Sequence, residues 1–136
     1  MRRGLLAGVI ILAIARAAIE AHHAISAVYD ATRSVTLEGV VVQVQFVNPH
    51  PFILVDVKER DGRPQSWRLE MDNRWELAQI GFAADTLRHG DRVVVRGSLA
   101  RNQSQSIYLL RLDRPVDGFW YEQVGMTPHI GKGNVK

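Results

Sequence analysis

Apolar and polar residues alternate in short stretches along most of the chain, which is the pattern of half-buried β-strands. The stretches are separated by turns rich in Gly, Asp and Asn. We therefore predict a mainly β domain with five strands. The predicted strands cover residues 35–47, 51–59, 63–71, 92–100 and 106–113.

The first predicted strand is unusually long and changes its pattern within its length. Val35 and Leu37 share one face, whereas the apolar positions after Gly39 are the even-numbered ones from Val40 to Phe46. A glycine at such a change predicts a bulge or a sharp bend. Such a bend would let one long strand take part in both sides of a barrel.

The second and third strands form a predicted hairpin. Its loop, residues 60–62, has Gly at the last position and fits a type I turn followed by a left-handed residue. The resulting register sets Phe52 opposite Glu70 and, further along the same face, His50 opposite Asp72. We expect His50, Glu70 and Asp72 to lie near one another at the end of the hairpin.

A short helix is predicted between the third and fourth strands, with Asn73 as its N-cap and Gly81 as its terminator. Five strands with this helix match the order of an OB-fold. We therefore predict a single five-stranded, OB-like Greek-key barrel over residues 34–114. An N-terminal arm, residues 22–33, precedes it, and a C-terminal tail, residues 115–136, lays its aromatic side chains against it.

The N-terminus has the pattern of a secretion signal. Two arginines precede an apolar run over residues 4–15. This run is too short for a bilayer about 30 Å thick, which needs roughly 20 residues. Small residues near Ala21 predict a signal peptide over residues 1–21 and a periplasmic or secreted protein with no integral membrane span after cleavage. The alternative is an uncleaved leader that tethers the domain to the membrane.

The charge and the cysteine content exclude several classes of protein. Residues 1–21 hold three arginines and one glutamate, so their removal lowers the formal net charge from +3 to +1. Such a domain has no field for phosphates, and we predict no nucleic-acid partner. The absence of cysteine excludes disulfides, thiolate metal sites and cysteine nucleophiles. A metal ion would need nitrogen and oxygen ligands.

Cleavage at the predicted site makes His22 and His23 the first two residues. The α-amine and the imidazole of one residue can chelate a metal ion, and a second imidazole completes the nitrogen-rich plane that copper(II) favours. His50 is the predicted third donor. Glu70 and Asp72 would orient a ligand or supply an oxygen. We predict a copper(II) site from these five residues.

Other interpretations remain open. Adjacent histidines in a leading segment are often merely solvated, and Asn48-Pro49-His50 is also typical of a turn. An OB-like module without metal would use the outward side chains of its second and third strands to bind a protein, a glycan or a small ligand in the envelope. Those side chains are Phe52, Leu54, Arg68 and Glu70.

No motif of an enzyme is present. The sequence lacks the Gly-x-Ser-x-Gly motif and both glycine-rich phosphate loops. Glu70 and Asp72 resemble a carboxylate pair for acid–base chemistry, but they alternate with apolar residues as in any half-buried strand, and ion pairs with neighbouring arginines explain them better. We predict no catalytic residue and no enzyme activity.

Several short motifs follow one another at a characteristic spacing. They are Ala21-His22-His23, Tyr29-Asp30 and residues 35–40, 48–50, 67–70 and 87–91. In this order they resemble the small exported bacterial proteins catalogued as domain of unknown function 6152, although this chain has Ala24-Ile25 and Asp72-Asn73-Arg74 where members often have Ser-Phe and Gly-Ser-Pro. The resemblance implies export and a small OB-like barrel, but no activity.

Overall fold

The computed structural model describes residues 24–59 and 61–133. These ranges contain seven strands in one sheet and two short helical segments, which confirms the predicted mainly β class. In chain order the elements are α1 (residues 24–28), β1 (Tyr29–Gln45), β2 (Phe52–Lys58), β3 (Pro64–Glu70), α2 (Arg74–Gln79), β4 (Arg92–Ala100), β5 (Ser106–Arg114), β6 (Phe119–Val124) and β7 (Thr127–Lys132).

The strands lie in the order β3-β2-β1-β4-β5-β6-β7, and all neighbours in this order are antiparallel. One additional pairing is parallel and joins β3 to β5, with Arg68 beside Ser106 and Glu70 beside Tyr108. As a result, each of the strands β1 to β5 pairs with two others of these five.

Strand β1 serves two neighbours, as its length predicts. It pairs with β4 over its first part and with β2 over its last part, and the two pairings overlap at Gly39 and Val40. The predicted bulge at Gly39 is wrong, because the register against β2 shifts between Val41 and Gln43. Val41 is fully buried, so the odd-numbered side chains of β1 still point inward at Val41. The sequence pattern predicted that this change of face occurs earlier, at Gly39.

A close approach of β1 to β2 explains why a glycine stands at position 39. A Cβ atom there would lie 2.5 Å from Val55 Cγ1 and 2.6 Å from the Asp56 carbonyl oxygen. Both distances are below those that real side chains show, so the backbone of β1 approaches β2 as only glycine allows. The residue marks a close approach rather than a bulge.

The β2–β3 hairpin has the predicted register. Phe52 faces Glu70, and Val55 faces Trp67. The ladder continues past the strand ends, because the Met71 amide donates to the Pro51 carbonyl over 2.9 Å. The hairpin end that carries the predicted site is therefore ordered by backbone hydrogen bonds.

Helix α2 follows directly from this end. The Asn73 side chain accepts a hydrogen bond from the Glu76 amide at 2.9 Å, which confirms the predicted N-cap. Leu77 is fully buried, and Gly81 has a φ of +85°, the left-handed conformation in which glycine ends helices. Both ends of the helix thus lie where the sequence predicts them.

The C-terminal residues form a hairpin, so the predicted tail is wrong as a description of this segment. Strand β6 pairs with β5, and β7 pairs with β6 around a turn at Gly125 and Met126. Phe119 and Tyr121 are buried, in agreement with the expectation that the aromatic residues pack against the sheet.

The core is formed by inward side chains of every strand except β7, together with Leu77, Phe82 and Leu87. In the described ranges, no helix is both long and apolar enough to cross a membrane. The largest fully buried side chains are Tyr121, Phe82, Ile53, Leu69, Met71, Leu77, Leu87, Ile107, Leu109, Leu112, Val41 and Val55.

Candidate functional site

The chain N-terminal to β1 is attached to the β4–β5 turn. The Arg101 amide donates to the Val28 carbonyl over 2.9 Å, and its guanidinium donates to the Ser26 carbonyl over 3.1 Å. The same guanidinium lies 3.5 Å from the Asp30 carboxylate. His22 and His23 lie outside the described residues, and they directly precede this attached segment.

Tyr29 connects the segment to the end of β3. Its hydroxyl donates a 2.7 Å hydrogen bond to Glu70 Oε2 and lies 3.1 Å from Ser106 Oγ. Its ring is 6.0 Å from the Tyr108 ring, and only 4% of the residue is exposed. Burial raises the pKa of Tyr29 to about 12, so the phenol is a protonated donor at neutral pH. The N-terminal segment is therefore fixed beside Glu70.

Four side chains define what we call the outer face: Phe52, Leu54, Arg68 and Glu70. They alternate along β2 and β3 with residues such as Ile53 and Leu69, which are fully buried. The Arg68 guanidinium lies over the Phe52 ring, 3.5 Å from its centroid, in a cation–π contact. The predicted outward surface of the hairpin is thus confirmed, with Glu70 at one end.

Asp72 is held by amide donors. Asp72 Oδ2 accepts a 2.8 Å hydrogen bond from Gln123 Nε2, and Asp72 Oδ1 accepts one from the Asn73 amide at 2.7 Å. Gln123 is buried and accepts from the Tyr121 hydroxyl at 2.7 Å.

Within the described ranges neither Glu70 nor Asp72 forms an ion pair, so the prediction of ion pairs with neighbouring arginines is wrong. Sequence spacing could not show that uncharged donors from distant strands take their place.

Three carboxylates lie near one another at this end of the sheet, and Arg68 lies on the same face as Glu70. Burial, and after it the charge of Asp72, raises the pKa of Glu76. Burial also raises the pKa of the Tyr108 phenol, with smaller contributions from Asp72, Glu70 and Glu76. Three carboxylates therefore act on one phenol, an arrangement that attracts cations.

His50 lies at the start of β2 between two prolines and is half-buried. Its Nδ1 atom is buried and has no hydrogen-bond partner in the described part of the chain. Buried polar atoms normally have a partner, so this nitrogen is unusual.

The described residues do not form a metal site by themselves. In residues 24–59 and 61–133, no group of three or more His, Cys, Asp or Glu side chains could hold a metal ion. The register brings His50, Glu70 and Asp72 to the same end of the hairpin. A metal ion there would need further ligands from His22 and His23.

Several residues at this end of the sheet were not among the predicted site residues. Tyr29, Arg101, Ser106 and Gln123 attach the N-terminal segment or hold the carboxylates. Their contacts span tens of residues, so no local spacing indicates them. The sequence indicated only Tyr29 among them, because Tyr29-Asp30 is one of the motifs that carry the family resemblance.

A sequence model described as "Family of unknown function (DUF6152)" matches residues 9–107. No curated protein matches the chain, and no solved structure matches it. The matched range begins in the apolar run of the N-terminus and ends in β5.

Proposed function

Since the chain belongs to the family of unknown function DUF6152, we propose that it is an exported binding protein that holds copper(II) at its mature N-terminus. Export is supported by the two arginines and the apolar run that precede Ala21. The proposed location is the periplasm or the outside of the cell. We propose no catalytic step and no redox chemistry.

We also propose that strands β1 to β5 form an OB-type barrel. The support is the cycle of pairings β1-β2-β3-β5-β4, which returns to β1. An OB-fold has five strands in a Greek-key barrel and binds ligands on its second and third strands. In this interpretation the β6–β7 hairpin is an addition at β5.

The observation that carries the copper proposal is the hydrogen bond from Tyr29 to Glu70. Only five residues lie between His23 and Tyr29, so the chain between them spans at most about 20 Å, and less because residues 24–28 are helical. Asp72 follows Glu70 by two residues, or roughly 7 Å along an extended chain. A segment of this length is long enough for the histidines to approach the hairpin end that carries His50, as the proposal requires.

The proposed ligands follow from the preferences of copper(II) for nitrogen and oxygen in a tetragonal plane. His22 supplies its α-amine and its imidazole, and His23 or His50 supplies a further nitrogen. Glu70 or Asp72 orients a ligand or adds an oxygen. The three carboxylates of Glu70, Asp72 and Glu76 support a divalent cation at this end of the sheet. Such a site suits copper binding, delivery or protection.

Copper titration of the exported, processed protein tests this proposal, with N-terminal sequencing of the same sample. We expect tight one-to-one binding that is lost in His22→Ala and in a chain with one extra alanine before His22. His129→Ala is the matched control, because His129 is exposed on β7, and it should bind as the wild type does. Weak binding, or binding that survives the extra alanine, would overturn the proposal.

A second candidate is a binding module that uses no metal. It is favoured by the Arg68 guanidinium stacked on Phe52, which gives the outer face a flat, amphipathic surface. This module would bind a protein, a glycan or a small ligand of the envelope. It would tolerate both changes at His22 and lose its partner in Phe52→Ala or Leu54→Ala, which is the opposite of the copper prediction.

A further inference from the structure

A concave groove of about 460 Å³ lies across strands β2, β1 and β4. Its volume falls in the range of small-molecule sites, about 300–1,000 Å³. It shares no residue with the outer face or with the proposed copper site. The lining residues are Glu38, Gly39, Val40, Asp56, Lys58, Arg92, Val93, Val94 and Pro115.

The strand register arranges the outward residues of the groove in two rows. Val40 pairs with Asp56 on β2 and with Arg92 on β4, so this row carries a carboxylate at one end and a guanidinium at the other. In the neighbouring row Glu38 pairs with Val94. Because Gly39 pairs with Val57, Lys58 extends that row beside Glu38. Val40 thus lies between the opposite charges of Asp56 and Arg92, and Glu38 stands beside it on the central strand.

The charged side chains of the groove have no ion-pair partner among the described residues. Glu38, Asp56, Lys58 and Arg92 form no ion pair there with one another or with any other residue. Asp56 is half-buried, and no donor in residues 24–59 and 61–133 reaches its carboxylate, although it is partly removed from water. This favours a ligand that brings its own cation to Asp56 and its own anion to Arg92.

We propose that this groove binds a short peptide with free termini. Asp56 and Arg92 flank Val40 on either side, so two interstrand spacings of about 4.8 Å, or roughly 10 Å in all, separate their backbones. One charged hydrogen bond of about 2.8 Å at each end leaves a ligand span of roughly 4–5 Å between its charged groups. The termini of a dipeptide lie up to roughly 7 Å apart, whereas those of a single amino acid are about half as far apart. A dipeptide therefore spans the row, and an amino acid does not.

Each end of the peptide has a defined partner. The ammonium group meets Asp56, with Glu38 nearby, and the carboxylate meets the planar fork of Arg92, which can donate two parallel hydrogen bonds. An apolar peptide side chain lies on Val40, Val94 and Pro115. This site does not involve the histidines, so it stands or falls independently of copper binding.

Titration of the ¹⁵N-labelled, metal-free protein with leucyl-leucine tests the proposal. We expect saturable amide shifts around the groove with a dissociation constant of about 1 mM or below. Asp56→Asn and Arg92→Gln should each weaken binding by roughly tenfold or more, because each removes one charged hydrogen-bond partner. The N-acetylated, C-amidated dipeptide should bind similarly weakly.

Arg96→Gln is the matched control. Arg96 lies on the same face of β4 as Arg92, is exposed, and does not line the groove. This variant should bind leucyl-leucine as the wild type does. The absence of saturable shifts, equal binding of the blocked peptide, or an equal loss in Arg96→Gln would each overturn the proposal. Free leucine should bind more weakly than the dipeptide. Equal affinity of the two would mean that the ligand does not bridge Asp56 and Arg92, and it would overturn the proposal.

Discussion

The hydroxyl of Tyr29 donates a 2.7 Å hydrogen bond to the carboxylate of Glu70, 41 residues later in the chain. Because Arg101 also holds Ser26, Val28 and Asp30, the chain before β1 is attached at two separate places. The position of the N-terminal segment is thus a property of the fold. The proposed copper site depends on this attachment.

Tyr29→Phe should lower the free energy of unfolding by about 2 kcal/mol, because the hydrogen bond to a charged acceptor is lost. Urea denaturation followed by circular dichroism measures this change. Tyr108→Phe is the control, since the Tyr108 hydroxyl has no hydrogen bond to any described residue, and it should be close to neutral. Equal losses in both variants would argue against a specific role for the Tyr29 hydroxyl.

The stability of the protein should fall at alkaline pH. Burial raises the pKa of Tyr29 from 10.0 to about 12, and it raises the pKa values of Tyr108 and Tyr121 as well. A raised pKa means that the folded state holds the proton more tightly, so the contribution is complete below pH 10 and is lost as the pH rises from 10 towards 12. Urea midpoints from pH 8 to pH 11 measure the effect, and Tyr29→Phe should show a smaller slope.

Gly39→Ala should destabilise the protein by roughly 1–3 kcal/mol, because the added Cβ would lie 2.5 Å from Val55 Cγ1. Thermal unfolding reports the loss. Gly133→Ala is the matched control, as its Cβ would meet only the Gly118 carbonyl oxygen at 3.8 Å, and it should stay within about 0.5 kcal/mol of the wild type. A neutral Gly39→Ala would mean that β1 can move away from β2 there.

Arg114 links the loop before β4 to the turn before β6. Its guanidinium donates to Asp91 at 2.7 Å, to Asp117 at 2.9 Å and to the Thr86 carbonyl at 2.9 Å. Arg114→Met should lower the free energy of unfolding by about 1–3 kcal/mol. Arg111→Met is the control, because its ion pairs with Asp113 and Glu122 are more exposed and contribute at most about 1 kcal/mol.

The same arginine should control part of the acid sensitivity. Its hydrogen bond lowers the pKa of Asp117 from 3.8 to about 2. A lowered pKa contributes stability that is present above pH 3.8 and is lost as the pH falls towards 2. Stability measured between pH 5 and pH 2 should therefore fall less steeply in Arg114→Met than in the wild type. Identical acid profiles would contradict this assignment.

His50→Gln should weaken copper(II) binding by tenfold or more if His50 is a ligand. The change breaks no hydrogen bond at Nδ1, which has no partner in the described ranges, so the fold should be retained. Competition with a copper chelator measures the affinity. His129→Gln should leave it unchanged, and an unchanged affinity in His50→Gln would assign the further nitrogen to His23.

Local patterns predicted those parts of the fold that depend on neighbouring residues. Alternation defined β2 to β5, and a turn with Gly62 at a φ of +82° set the register that pairs Phe52 with Glu70. The N-cap at Asn73 was equally local. Each of these features is decided within about ten residues, where spacing and turn chemistry are informative.

The features that were missed depend on contacts far along the chain. Pro128 and Gly131 argue against a strand, yet β7 is an edge strand and tolerates both. The contact from Tyr29 to Ser106 spans 77 residues, and the bond from Gln123 to Asp72 spans 51. No pattern within one segment contains such information. The roles of His22 and His23 stay a prediction, because both lie outside the described residues.

Electron paramagnetic resonance of the one-to-one copper(II) complex tests the central claim most directly, because its hyperfine structure counts the nitrogen ligands. We predict several nitrogens in the processed protein, with His22 contributing both its amine and its imidazole. One alanine added before His22 should change the spectrum and remove the tight site. An identical spectrum with and without this alanine would contradict a copper site at the mature N-terminus.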